Sequence, residues 1–452
     1  MNKLPHIIYI LSDEHRGQAM RHTGDLNLQT PSMDRMAKEG VSFTRAYSNC
    51  PICTPARGTI FSGRHAHSGP IAGFFDVYKA GSPSTATELK KNGYHTAYFG
   101  KWHCGTVRNQ RPPAVKENPE DYPGTATRTP ERHRAGFDDW FGFECTNAHF
   151  KSYYFNKDDI NPTKIEEYQS DGLTNMAIDY INNYDGEKPL FLVLSVENPH
   201  FPIEAPEKWK RHNSETLVLR DNFESDDPSA RQKLADYYAM IENLDWNIGR
   251  VQETLDNTKG FENTLSVYFS DHGEFMYSQG NGWGKEKPYE ESISIPSIFK
   301  WRGKIPAQGN RDEMFSLVDM FSTTLGLINQ DIPDYNQGTD FTNALLDKPF
   351  DEPEEVLIEM HNNPRWNLNM MDWRGIVTKE WKYAFHENGM ELLFNIKEDP
   401  FEMNNLVESN PAKTAEMKGR LLKLLEKNRE PYFDVIMNYT VTQEKEDIDV
   451  SK

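Results

Sequence analysis

Four short apolar runs constrain the fold of this 452-residue chain more than any other feature. They are Ile7 to Leu11, Thr96 to Phe99, Phe191 to Val196 and Leu265 to Phe269. They are rich in β-branched and aromatic residues, so they predict strands. Near-continuous apolarity predicts burial on both faces, as in a parallel or mostly parallel sheet. Each run then ends in reactive side chains: Ser12-Asp13-Glu14-His15, Gly100-Lys101-Trp102-His103, Glu197-Asn198-Pro199-His200 and Ser270-Asp271-His272-Gly273. In open α/β sheets, ligands bind beyond the carboxyl ends of the strands. Four ends bearing Asp, His or Lys therefore predict one shared site.

Helical patterns lie between the runs. Pro31 to Glu39 has Thr30 as its expected cap and Gly40 as its stop, and Thr85 to Asn92 ends at Gly93. Lys233 to Thr254 reads as a longer helix. Alternating strands and helices imply an α/β fold with a large, mostly parallel central sheet flanked by helices. From about Asp347 the character changes. Glu355 to Met360, Trp373 to Val377, Trp381 to His386 and Met390 to Asn395 predict short strands, with a hairpin turn at Glu387-Asn388-Gly389. Pro411 to Asn428 reads as a helix. The expected division is a catalytic α/β domain over 1–346 and a small α+β subdomain, an antiparallel sheet with one helix, over 347–452. The charged tail from Gln443 is expected to be loose.

A formal net charge of -19 argues against nucleic-acid binding and against a polybasic membrane surface. An anionic substrate must then meet a locally positive pocket. Four cysteines are too few for a disulfide scaffold in a chain of this size. Cys50 and Cys53 form a C-x-x-C, but the flanks do not suit a thioredoxin-like redox motif. No run of about 18 apolar residues exists to span a membrane. The amino-terminal apolar run is too short for a signal peptide and ends at Asp13-Glu14, so it is read as a strand. On that reading the chain is cytoplasmic as it stands, and periplasmic or secreted if a leader was removed.

Asp13, Asp271 and His272 offer two hard carboxylates and an imidazole. Such a set suits a hard divalent cation such as Ca2+, with Mg2+ or Mn2+ as competitors. Turn residues at strand ends are the plain alternative. Cys53-Thr54-Pro55-Ala56-Arg57-Gly58 is the other dense motif. Pro55 suits the first position of a helix, and Thr54 suits its cap. Cys53 then lies just ahead of a helix N-terminus that favours anions, with Arg57 able to swing back toward it. A buried cysteine before an ordinary Pro-initiated helix is the competing reading.

The C-x-P-x-R spacing, followed by Gly58 and Ser62-Gly63-Arg64, resembles the signature of the type I, formylglycine-dependent sulfatases of the alkaline-phosphatase-like superfamily. Thr30-Pro31-x-x-Asp34-Arg35, Gly100-Lys101-Trp102-His103, Pro199-His200-x-Pro202, Ser270-Asp271-His272-Gly273 and Lys285 before Tyr289-Glu290-Glu291 follow in the family's order. The resemblance covers about residues 5 to 410. It implies a sulfuric ester hydrolase in which a maturation enzyme oxidises Cys53 to formylglycine. As the hydrate, that group attacks sulfur and then collapses to the aldehyde to expel sulfate. The resemblance adds Cys53 to the metal ligands Asp13, Asp271 and His272. It implies that Arg57 positions the hydrate and that Lys101 and Lys285 neutralise sulfate oxygens. It also implies that His200 protonates the leaving alcohol and that His103 assists the nucleophile.

Two positions depart from the family's pattern. Glu14 stands where many members have a second aspartate, so it ligates, reaches the metal through water or points away. His272 stands where asparagine is frequent, and this histidine also occurs in phosphonate monoester hydrolases. A phosphonate monoester or phosphodiester hydrolase is therefore the alternative enzyme, and a silent sugar-binding module is the alternative of another class. The long insert over 107–160 carries Trp140, Phe141, His149, Tyr153 and Tyr154, which either stack on a sugar or form a local aromatic core. His149, with His361 and Arg365 of the second domain, is a candidate substrate residue. A sulfated carbohydrate is the preferred substrate class, with small aryl sulfates also accepted.

Overall fold

The computed structural model describes residues 4–105, 113–362 and 370–439. Arg365 and the tail from Gln443 lie outside the described residues.

Ten strands form the central sheet. In chain order they are β1 (His6–Ser12), β2 (Val41–Tyr47), β3 (His95–Lys101), β4 (Asp139–Phe143), β5 (Ser152–Asn156), β6 (Thr163–Ile165), β7 (Leu190–Ser195), β8 (Thr264–Ser270), β9 (Ser297–Trp301) and β10 (Gly309–Ser316). Their spatial order is β10-β2-β9-β8-β1-β7-β3-β4-β5-β6. The four apolar runs are the adjacent strands β8, β1, β7 and β3, all parallel. Alternate side chains of β1 enter different cores: Ile7, Tyr9 and Leu11 on one face, Ile8 and Ile10 on the other. Burial on both faces is why these runs show no polar alternation. The remaining strands are more polar. β10 is an edge strand that starts Gly-Asn-Arg-Asp-Glu, and β2 carries an exposed Thr44.

The register brings the four carboxyl ends level. Ser12 is opposite Ser270, Leu11 opposite Ser195, and Gly100 opposite Ser195. The reactive residues that follow therefore emerge at one edge of the sheet. Gly100 permits the closest approach. It adopts φ +98°, and a Cβ built there would lie 1.9 Å from the Ser195 carbonyl oxygen.

The expected helices form, with differences at their ends. Pro31–Glu39 stops at Gly40, but Thr30 does not cap it. Its hydroxyl instead accepts from the Arg21 N–H and donates to Asp34. Thr85–Lys91 starts from a capping box at Ser84. The long helix runs Ala230–Asn257, a turn further at each end than its apolar stripe suggested.

A second, antiparallel sheet contains β11 (Val356–Met360), β12 (Trp373–Val377), β13 (Lys382–His386) and β14 (Glu391–Phe394), in that order. Helix Pro411–Asn428 covers one face through Met417, Leu421 and Leu425. The other face packs Ile358, Val377 and Phe394 into one cluster with Tyr47, Ile52 and Met314. The small sheet thus leans on the end of β2 and on the loop before Cys53. Among the described residues, no helix is long and apolar enough to cross a membrane.

Candidate active site

The helix carrying Cys53 spans Cys53–Ser62 and is fully buried. It starts before the expected point. Ile52 is the N-cap, Cys53 the first helical residue, and Thr54 makes no cap. Pro55 is tolerated inside because the first four N–H groups of a helix have no intrahelical acceptor. The Cys53 thiol lies 3.1 Å from His272 Nε2 and 3.6 Å from Asp13 Oδ1. Burial first, then Asp13, pushes this thiol well above its ordinary range. An unmodified Cys53 is therefore a protonated thiol and a poor nucleophile at neutral pH.

Arg57 organises the centre. Its Nε donates to Asp271 Oδ2 at 2.9 Å and its Nη2 to Asp13 Oδ2 at 3.1 Å. Its Nη1 donates to the Lys101 carbonyl at 2.7 Å and to Ser195 Oγ at 2.9 Å. One guanidinium thereby fixes both carboxylates against the ends of β3 and β7. The Oδ1 atoms of the two aspartates then face His272 Nε2, at 3.6 Å from Asp13 and 3.7 Å from Asp271. His272 Nδ1 lies 3.0 Å from the Gly273 carbonyl, so it carries the ring proton. Nε2 thus turns a lone pair toward two carboxylate oxygens, an arrangement that calls for a cation between them. One ligand atom each from Asp13, Cys53, Asp271 and His272 lie within 4.8 Å of one another. This donor set fits a divalent metal ion.

Two lysines add positive charge. Lys101 is fully buried, with Nζ 2.6 Å from Asp13 Oδ2 in an ion pair without hydrogen-bond geometry. Burial alone would raise the Asp13 carboxyl, but Lys101, His200, Arg57 and His272 together hold it well below its usual range. Lys285 Nζ pairs with Glu14 and lies 3.3 Å from His200 Nε2. His200 is held down to about 4, first by burial, with Lys101 and Lys285 adding to this and Glu14 opposing it. His103 is buried at φ +55°, its ring edge-on to Phe74 and Phe75. Burial, then Lys101 and Arg57, hold it well below its ordinary range.

A family model described as Sulfatase matches residues 5–330, and one described as N-sulphoglucosamine sulphohydrolase, C-terminal, matches 281–430. The chain belongs to the type I sulfatase family. An ulvan-active sulfatase of Formosa agariphila is 32% identical over 89% of this chain and 77% of its own. An endo-4-O-sulfatase of Bacteroides thetaiotaomicron is 27% identical over 95% and 93%. A structure from Bacteroides fragilis described as a sulfatase, yidJ, superposes with a TM-score of 0.86 at 27% identity, covering 96% of this chain and 98% of its own. A phosphonate monoester hydrolase of Agrobacterium radiobacter shares the fold, with a TM-score of 0.71 at 18% identity, over 94% and 96%. This sulfatase is accordingly a sulfuric ester hydrolase with the alkaline-phosphatase-like fold.

Other sequence candidates lie elsewhere. Glu14, at φ +69°, turns from the metal donors toward Lys285 and the Phe201 N–H. Trp140 stacks on Tyr98 and Phe141 on Phe99, and Tyr153 is buried, so these residues form core rather than a sugar platform. Trp140 and Phe141 lie on β4 beside β3, and Tyr153 packs on Phe143 and Phe155. His149 is buried, with Nε2 2.9 Å from the His200 carbonyl, and so supports the His200 loop. His361 contacts Arg374 and Glu359 in the second sheet.

Three supporting residues were not selected from sequence. Ser195 links Arg57 to the Lys101 carbonyl. Glu197 ties Thr146 and Gln169 beneath Lys101, its Oε1 3.9 Å from Nζ. Glu274 accepts from the N–H groups of Met276 and Gly284 and shapes the loop that presents Lys285. Their position at strand ends was the available signal, because all follow β7 or β8 closely.

Proposed function

We propose that this sulfatase hydrolyses a sulfate ester on a carbohydrate, using Cys53 matured to formylglycine and a bound Ca2+ ion. The observation that carries this reading is Arg57 clamping Asp13 and Asp271 so that their Oδ1 atoms, His272 and Cys53 converge. Asp13, Asp271 and His272 would hold the ion beside residue 53, where it supplies Lewis-acid polarisation of an oxygen. The matured aldehyde, as its hydrate, supplies a nucleophilic hydroxyl and a second one that permits release of sulfate.

This chain's own side chains do the rest. Arg57 is a positioning residue: its hydrogen bonds fix Asp13 and Asp271 against the ends of β3 and β7. Lys101 and Lys285 supply fixed positive charge where a sulfate gains negative charge. His200 is the acid for the leaving alcohol. At about 4 it is neutral in the resting site, and the negative charge of a bound sulfate raises it. Proton donation is thereby coupled to occupancy. His103 assists the nucleophile from the other side. Glu14 holds Lys285 and His200 together and is not a metal ligand. Residues 1–346 act as the catalytic domain, and 347–452 as a subdomain packed on it through the shared cluster. A sulfated saccharide is favoured as substrate by the relatives named for ulvan and for endo-4-O-sulfate chemistry.

Mass spectrometry of the Cys53 peptide tests maturation: conversion of the thiol to an aldehyde is expected in active protein. Sulfate release is then measured on a panel of sulfated saccharides beside an aryl phosphonate. Turnover of the phosphonate far above every sulfate would assign the phosphonate reaction instead. Chelation should abolish activity, and Ca2+ should restore it better than Mg2+ or Mn2+.

A further inference from the structure

His67, Glu359 and Glu430 meet where three distant segments converge. His67 follows the helix of Cys53, Glu359 lies on β11, and Glu430 follows helix Pro411–Asn428. One ligand atom from each lies within 4.8 Å of the others. Both carboxylates are buried, and the His67 side chain is 3% exposed.

The ring of His67 explains why this cluster is unusual. Its Nε2 lies 3.3 Å from the Asn428 carbonyl, and its Nδ1 lies 2.7 Å from Glu359 Oε2. A neutral imidazole has one N–H. Without an ion, Nδ1 donates to Glu359, which against the effect of burial raises this imidazole above its ordinary range. With an ion in place, Nε2–H serves the carbonyl and Nδ1 turns its lone pair to the metal. Metal-bound histidines take this form, with the second nitrogen donating to a backbone carbonyl.

The two carboxylates have different partners. Arg374 Nη2 donates to Glu430 Oε1 at 2.8 Å and neutralises one carboxylate. The same atom lies 3.1 Å from His361 Nδ1, and His361 Nε2 lies 3.3 Å from Glu359 Oε2. Glu359, by contrast, is faced by two imidazoles, His67 and His361. A cavity of about 440 Å³, lined by His65, Gln337, Glu355 and Asn428 among others, lies beside the segments that carry His67 and Glu430. His65 stacks on His67 with ring centroids 5.7 Å apart, and its buried Nδ1 has no hydrogen-bond partner among the described residues.

We propose that His67 Nδ1, Glu359 and Glu430 hold a second divalent cation, of the Zn2+ class. One imidazole nitrogen and two carboxylates suit zinc better than calcium, and a fourth position is left for water. The ion ties the loop behind the Cys53 helix to β11 and to the end of the carboxyl-terminal helix. Glu359 is held by His67, His361 and the ion, and Arg374 orients Glu430 from behind.

The test uses the whole protein, stripped of metal, returned to saturating Ca2+ and titrated with zinc chloride by calorimetry. One zinc equivalent is expected. It should survive Asp271→Asn and be lost in Glu359→Gln and in His67→Phe. Zinc should raise the midpoint of thermal unfolding in Asp271→Asn and leave Glu359→Gln unmoved. Anomalous diffraction at the zinc edge from wild-type crystals should place a peak between His67 Nδ1 and Glu359, whether or not the variants fold. A map without that peak, or zinc uptake that disappears with Asp271→Asn and persists in Glu359→Gln, overturns the proposal. The cluster is then an imidazolium–carboxylate pair. Neither readout depends on sulfate chemistry.

Discussion

Gly100→Ala couples the fold to the site in one methyl group. Gly100 lies at φ +98° on β3, one residue before Lys101, and its Cβ would stand 1.9 Å from the Ser195 carbonyl oxygen. That is roughly 1.4 Å short of an ordinary carbon–oxygen contact. The obstacle is the backbone of β7, so no rotamer change relieves it. Holding a non-glycine residue at this φ costs about 1–3 kcal/mol. Forcing the strands apart adds about 1–3 kcal/mol of overpacking. The expected loss is therefore roughly 2–6 kcal/mol, against about 5–15 kcal/mol for a typical native protein. The same displacement moves Ser195 Oγ and the Lys101 carbonyl, both of which hold Arg57. A shift of about 1 Å at such a site lowers turnover on the order of 100-fold. Gly93→Ala is the matched control, because Gly93 has φ +87° and nothing within 4 Å of its added Cβ. It should lose only the strain contribution and keep its turnover. Urea unfolding and sulfate release are measured on both variants. Equal stability losses, or a destabilised Gly100→Ala with full turnover, refute the reasoning.

Lys101→Ala and Lys285→Ala should each lower kcat by about 10²–10³, as loss of a charge-stabilising donor does. The peptide containing Cys53 is checked for maturation first, and a change confined to KM would contradict the role. Asp245 accepts from the N–H groups of Met33 and Ser32 at the start of helix Pro31–Glu39, and burial raises its carboxyl to about 7 from 3.8. The folded state therefore binds this proton more tightly, and the stability it brings is lost as pH rises between those values. Relative to Asp245→Asn, the wild type should lose up to roughly 4 kcal/mol from pH 4 to pH 8, at about 1.36 kcal/mol per unit. Parallel urea titrations across this range measure it, and a flat difference would contradict the burial argument. Phe201 and Trp283 stack with centroids 4.5 Å apart beside His200 and Lys285, and both are exposed. If they carry a sugar ring, Trp283→Ala should raise KM for a sulfated oligosaccharide roughly 2- to 12-fold, from about 0.5–1.5 kcal/mol of stacking. A small aryl sulfate should be unaffected, and an equal rise for both substrates would remove the platform.

The site was legible where chemistry and fold share a short stretch of chain. Asp13 and Asp271 follow β1 and β8 directly, Lys101 ends β3 and His200 lies in the turn after β7, so identifying the strands also identified the residues at their ends. The start of the Cys53 helix was misplaced because proline is accepted at several positions of a first turn, and only the backbone angles of Ile52 decide between them. The rings of the 107–160 insert were ambiguous for another reason. An aromatic on a sugar and an aromatic in a core have the same composition, and only the packing of Trp140 on Tyr98 separates them. Contacts that join distant segments left no local trace at all. His67 and Glu359 are 292 residues apart. Nothing near either one shows that a buried carboxylate will meet this imidazole. Glu14 shows how far adjacency itself can carry. It neighbours a metal-donor aspartate in sequence, yet its φ of +69° swings the carboxylate toward Lys285. An extra methylene at this position gives the carboxylate reach beyond the metal donors, and with that reach it organises the cation and the histidine on the leaving-group side.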